Sequence, residues 1–211
     1  VEGVGCLLNA LAPRYGGGGS GGAVADVVEG LRGAKDGATP LHWACCGVSH
    51  ERFGCGGHDD IVKLFLSSTS ATRRVNFVNT RTVTGNTPLM WAAWSGCLST
   101  TQLLLSYDAD PHLENVNGCT AAHWAASGGN VHLCRILYED VAVNFTVENK
   151  NGHTPLNHAV VRGRVEVVEW LSRDVYKGVG MNEEIVLAEK LLEADRTDAK
   201  KEAVVKAMSN N

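Results

Sequence analysis

Four stretches of this chain are near copies of one another: Asp36-Gly37-Ala38-Thr39-Pro40-Leu41-His42-Trp43-Ala44, Thr84-Gly85-Asn86-Thr87-Pro88-Leu89-Met90-Trp91-Ala92, Asn117-Gly118-Cys119-Thr120-Ala121-Ala122-His123-Trp124-Ala125 and Asn151-Gly152-His153-Thr154-Pro155-Leu156-Asn157-His158-Ala159. Their glycines stand at 37, 85, 118 and 152, in steps of 48, 33 and 34 residues. One supersecondary unit therefore recurs. A unit of this size cannot bury its own apolar face, so neighbouring units must stack on each other.

The residues of one unit specify two helices. Thr is a good N-cap, and Pro in the first helical turn gives up no hydrogen bond, so Thr-Pro starts the first helix. Gly96, Gly129 and Gly163 follow about two turns later, where a helix end favours a left-handed residue. Apolar residues at helical spacing then predict second helices over 99–106, 131–138 and 164–172. Asn117-Gly118 and Asn151-Gly152 predict tight hairpin-like turns between units.

The long first step resolves against its siblings. Thr39 to Gly57 is nine residues longer than the corresponding span elsewhere, and five or six more are extra around 67–77. The first unit is expected to carry two loops, at 48–56 and 67–77.

These motifs resemble those of the ankyrin-repeat family. The resemblance implies an all-α solenoid of four repeats, 34–81, 82–114, 115–148 and 149–178, with tight hairpin turns between them. Helical caps are expected at both ends. Residues 1–33, with a Gly-rich linker at 16–22, form the first, unless the Gly-Gly-Gly-Gly-Ser run is an engineered spacer; two amphipathic helices within 179–211 form the second. In such repeats histidine three residues after Thr ties neighbouring hairpins together, which gives His42 and His123 a structural role. Met90 and Asn157 interrupt that series. Trp43, Trp91 and Trp124, with His158 in the fourth unit, share one position and are expected to stack through the core.

The resemblance also implies a non-catalytic interaction module. It would bind a partner protein through a concave groove lined by hairpin tips and first helices, as a subunit of a larger assembly. Carried over position by position, the tips offer Lys35, Asp36, Asn86, Asn117, Lys150 and His153, and the helix ends offer Trp94, Ser95, Ser127 and Arg162. Trp94 has no aromatic sibling, which suits a binding anchor. Packing under the 67–77 insertion is the other placement open to it.

Composition bears on the remaining classes. A net charge of -4 gives no general reason to expect nucleic acid, although Arg52, Arg73, Arg74 and Arg81 make the insertions locally basic and leave an RNA adaptor as a third reading. No stretch of about 18 apolar residues is present to span a membrane. Seven cysteines, some in slots where siblings have alanine, predict small buried hydrophobes in a reducing intracellular compartment. No phosphate-cradling loop or nucleophile elbow stands out, and no cofactor is expected. The alternative is a metal- or thiol-dependent module using Cys46, His50, Cys55 and His58, whose spacing fits no paired Cys-x-x-Cys pattern.

Overall fold

The computed structural model describes residues 31–33, 35–46 and 58–177. Among them every regular element is helical and no strand occurs. The four Thr positions each open a short inner helix: α1 (Pro40–Cys45), α4 (Pro88–Ser95), α6 (Ala121–Gly128) and α8 (Pro155–Val161). Outer helices follow as α2 (Asp59–Ser67), α5 (Leu98–Ser106), α7 (Val131–Glu139) and α9 (Val165–Trp170), the last running into a wider π turn over Leu171–Val175.

The starts and stops are those that the residue types dictate. Thr87 Oγ1 accepts the Met90 amide at 3.3 Å, and Thr154 Oγ1 accepts that of Asn157 at 3.4 Å. Gly96 and Gly129 end α4 and α6 at φ 69° and 90°, in the region where a side chain would be strained. α8 stops one residue sooner, at a right-handed Arg162.

Inner helices pack in series, α1 on α4, α4 on α6 and α6 on α8, and α2 meets α5 as α7 meets α9. Burial of the apolar stripe of each helix holds the stack. Leu41, Phe65, Leu66, Leu89 and Leu104 anchor one cluster, and Leu133, Leu137, Phe145, Leu156, Val168 and Leu171 another. Each such side chain contributes about 1.5–3 kcal/mol. At Gly128 the helices touch backbone to backbone: a Cβ there would lie 2.6 Å from the Trp94 carbonyl oxygen and 2.7 Å from that of Ala93.

Two kinds of bond join successive units. Between turn tips runs a series of single backbone rungs, Val83 N–H to Asp36 C=O (2.8 Å), Val116 N–H to Thr84 C=O (3.0 Å) and Lys150 N–H to Asn117 C=O (2.9 Å). Histidine supplies the other. His42 Nδ1 accepts the Thr39 amide at 3.1 Å, which leaves the proton on Nε2, and Nε2 donates to Asn86 C=O at 3.0 Å. His123 repeats this between Thr120 and His153 C=O. Burial holds His42 down at about 4 and also lowers His123, so both rings are neutral at pH 7. Met90 offers its sulfur to the Thr87 amide at 3.4 Å and has no donor for the next unit. Asn157 Oδ1 accepts the Thr154 amide at 2.7 Å, while its buried Nδ2 has no hydrogen-bond partner.

Two expectations are corrected here. The second insertion is no loop: α3 (Ala71–Val78) occupies it, entered at an extended Ser70 and buttressed by buried Phe77 and Val78. Arg74 lies 5.3 Å above the Tyr107 ring and fastens α3 to the second unit. The Trp column is not core either. Trp43 is 58 % exposed, and Trp91, Trp124 and His158 are half-buried, because the phase of the inner helices turns this position along the stack surface. Trp43 and Trp91 meet edge to face at 5.1 Å there. The insertion at 48–56, the glycine-rich run at 16–22 and almost all of both expected caps lie outside the described residues.

Candidate functional site

The turn tips and the inner helices form one surface. Lys35, Val83, Val116 and Lys150 hold equivalent places in the four tips, as the rung register shows. The turns are wound by side chains: Asn115 Oδ1 accepts the amides of Asn117 and Cys119, and Asn149 Oδ1 those of Asn151 and His153. Those carboxamide oxygens close the turns, and all four row residues are exposed. Val83 is 71 % exposed and Val116 50 %. The four inner helices contain no Asp, Glu, Lys or Arg, and they add Trp43, with Trp94 at 44 % and Val161 at 47 % exposure.

The predicted contact residues fall as follows. Lys35, Asn117, Lys150 and Arg162 are exposed. Asp36, Asn86, Ser95 and His153 are half-buried and partly spent on local bonds: Asp36 Oδ1 accepts the Ala38 amide at 3.0 Å, Asn86 Oδ1 accepts from Asn115 Nδ2 at 2.8 Å, and Ser95 Oγ donates to Cys46 Sγ at 3.7 Å. Trp94 stands on the surface. Ser127 does not: it is only 4 % exposed and its hydroxyl meets His158 Nδ1 at 3.2 Å, because the close approach at Gly128 sinks this end of α6. Sequence reasoning missed Val83 and Val116. The signal for them was an aliphatic residue at a turn position whose siblings are lysine.

One cluster beside this surface has the residue types of a nucleophilic site. Cys119 Sγ lies 4.0 Å from His158 Nε2, and Asn149 Nδ2 donates towards both at 3.3 and 3.4 Å. Its electrostatics oppose that chemistry. Burial pushes the Cys119 thiol up, and burial with the neighbouring His123 brings His158 down to about 4, so thiol and imidazole are both neutral. No group of three or more His, Cys, Asp or Glu side chains among the described residues is placed to hold a metal ion. Of the candidate metal set, Cys46 ends α1 and His58 precedes α2, while His50 and Cys55 lie outside the described residues.

Beside the first unit a hollow of about 500 Å³ is lined by Leu31, Arg32, Trp43, His58, Ile61 and Phe65. No helix among the described residues is long and apolar enough to cross a membrane.

Stacked helix pairs joined by histidine ties and tip rungs define a helical-repeat protein with its variable residues on one face. The description "Ankyrin repeats (3 copies)" matches residues 21–115 and 99–185, and the chain belongs to the ankyrin-repeat family. It is similar to the zebrafish palmitoyltransferase ZDHHC17, 37 % identical over 87 residues, or 40 % of this chain and 14 % of that protein. It is also similar to the human transient receptor potential cation channel subfamily A member 1, 28 % identical over 138 residues covering 64 % of this chain and 11 % of the channel. The Drosophila melanogaster palmitoyltransferase Hip14 is 38 % identical over 73 residues, 34 % of this chain and 12 % of that one. The chain thus matches only about a tenth to a seventh of these relatives. Ankyrin repeats are protein-interaction modules and not themselves a catalytic fold.

Proposed function

We propose that this protein binds a partner protein across the turn tips and inner helices, as a scaffold or adaptor within a multi-subunit assembly. The observation that carries this reading is the exposure of Val83, Val116, Trp94 and Val161 on one face whose inner helices hold no charged residue. Large apolar side chains grouped on a surface characterise interaction sites, and tryptophan is a frequent anchor. The match to ankyrin regions of larger proteins supports the same class of role.

The test compares wild-type protein with Trp94→Ala and with the double change Val83→Asp, Val116→Asp as bait in native extract. The recovered partner is then titrated calorimetrically against each. Trp94→Ala should weaken association by at least about 2 kcal/mol. Its melting temperature should hardly move, since surface changes alter stability by about 0.5 kcal/mol or less. If both variants capture the same proteins with unchanged affinity, the partner surface lies elsewhere.

A further inference from the structure

We propose that the tips of the first two units recognise an acidic segment of the partner that also carries an aliphatic side chain. This rests on the interface reading above and assigns the chemistry of one part of it. The rung from Val83 N–H to Asp36 C=O sets the first two tips side by side. At that junction Val83 is the most exposed large apolar side chain among the described residues.

Three exposed cations surround the junction. Lys35 is on the first tip, Arg81 leads into the second, and Arg32 bridges the two, donating to Gly37 C=O (3.4 Å), Arg81 C=O (3.1 Å) and Thr80 Oγ1 (3.2 Å). Arg81 in turn donates to Glu114 C=O at 2.9 Å. These bonds orient the guanidinium groups through neutral acceptors, and among the described residues neither guanidinium makes an ion pair. The ion pairs among the described residues are those of Arg135 with Glu139 and Asp174, on the outer side of the stack. The carboxylate nearest in the chain, Asp36, is turned to the Ala38 amide.

The other two tips differ. There Glu114 and Glu148 hold the position equivalent to Arg81, two residues before Val116 and Lys150, so the charges in those tips are mixed. In a chain of net charge -4, an excess of positive charge gathered around the exposed valine runs against the overall sign. Carboxylates satisfy such cations with charge-assisted hydrogen bonds, and an aliphatic neighbour covers the valine. A nucleic acid would satisfy the charge but not the valine.

The probe is a fluorescein-labelled peptide, Gly-Asp-Glu-Ile-Asp-Glu-Gly, read by fluorescence anisotropy on the full chain. Its amide counterpart, Gly-Asn-Gln-Ile-Asn-Gln-Gly, serves as control, and labelled poly(U) RNA is run in parallel. The acidic peptide should bind and the amide peptide should not, and raising salt from about 50 to about 200 mM should weaken binding several-fold, as expected for exposed charges. Lys35→Glu and Val83→Asp should each raise Kd about tenfold, while Lys150→Glu should change it less than about twofold. Lys35 makes no hydrogen bond or ion pair among the described residues, so its variant is expected to fold, and a thermal melt verifies this. Equal binding of the two peptides, no binding of either, or poly(U) bound in place of the acidic peptide would overturn the assignment. If the acidic peptide fails while capture of the partner still depends on Trp94 and Val83, only the charge assignment falls. If capture is indifferent to both residues, the interface reading falls with it.

Discussion

The joint between the first and second units and the joint between the second and third are built from the same backbone but closed differently. In the first, His42 spans from the Thr39 amide to Asn86 C=O, a buried neutral ring bonded at both nitrogens. In the second, Met90 fills the same slot without a donor, and closure comes from elsewhere: the contact of Gly128 with Trp94 and Ala93, the Asn115 to Asn86 bond, and Asn130 Nδ2 donating to Gly96 C=O at 2.8 Å. A position in the repeat can lose its directional bond when neighbouring helices move closer. Inter-unit stiffness is thus distributed over interchangeable devices.

His42→Ala should have the largest effect. It leaves the Thr39 amide buried without its partner and empties a packed slot, at a cost of about 2–4 kcal/mol in denaturant melts. A cost below about 1 kcal/mol would show that the tied joint is no tighter than the Met90 joint. The same residue sets a pH dependence. The folded ring titrates at about 4 and the unfolded one near the ordinary 6.5, so the unfolded chain takes up a proton that the folded chain refuses. Stability should be complete above about pH 6.5 and should fall as pH is lowered towards 4, by on the order of 3 kcal/mol for His42 alone. His158, also at about 4, acts in the same direction. His42→Met should flatten the profile; an unchanged profile would assign it to other groups.

Gly128→Ala probes the other joint. The added methyl must push α6 away from two carbonyl oxygens of α4, and the loss should be about 1–3 kcal/mol by thermal melt. Smaller and opposite in sign is Met90→His, which should create a tie to the third tip and stabilise by about 1 kcal/mol. Destabilisation would mean that the Gly128 contact has left no room for the ring. Smallest is Trp43→Ala, expected to cost under about 1 kcal/mol because the ring stands on the surface. A loss of about 3–5 kcal/mol, typical of a buried tryptophan, would return the column to the core.

The helix starts at Thr39, Thr87, Thr120 and Thr154 and the stops at Gly96 and Gly129 were legible because cap and left-handed preferences are local. The histidine ties were legible through the family resemblance. What failed depended on relations between units. Counting against siblings located the insertion at 67–77 but reported only its length, and could not reveal that Ser70 and the run to Val78 make a helix. Trp91 and Trp124 read as core because their recurrence shows that a position matters, not which way the helix turns it. Ser127 passed as a surface residue since its burial follows from glycine at the next position. In the tips, attention to polar turn residues hid Val83, whose exposure is set by the rung to Asp36.

The buried cysteines make the molecule its own clock. Cys45 in α1 and Cys134 in α7 are fully enclosed, with burial raising Cys45 strongly and Cys134 to about 12, so neither reacts with an alkylating reagent until its unit opens and the thiolate forms. Because one lies in the first unit and the other in the third, the order in which they are alkylated in native buffer gives the sequence in which these units loosen, with no substitution needed to introduce a reporter.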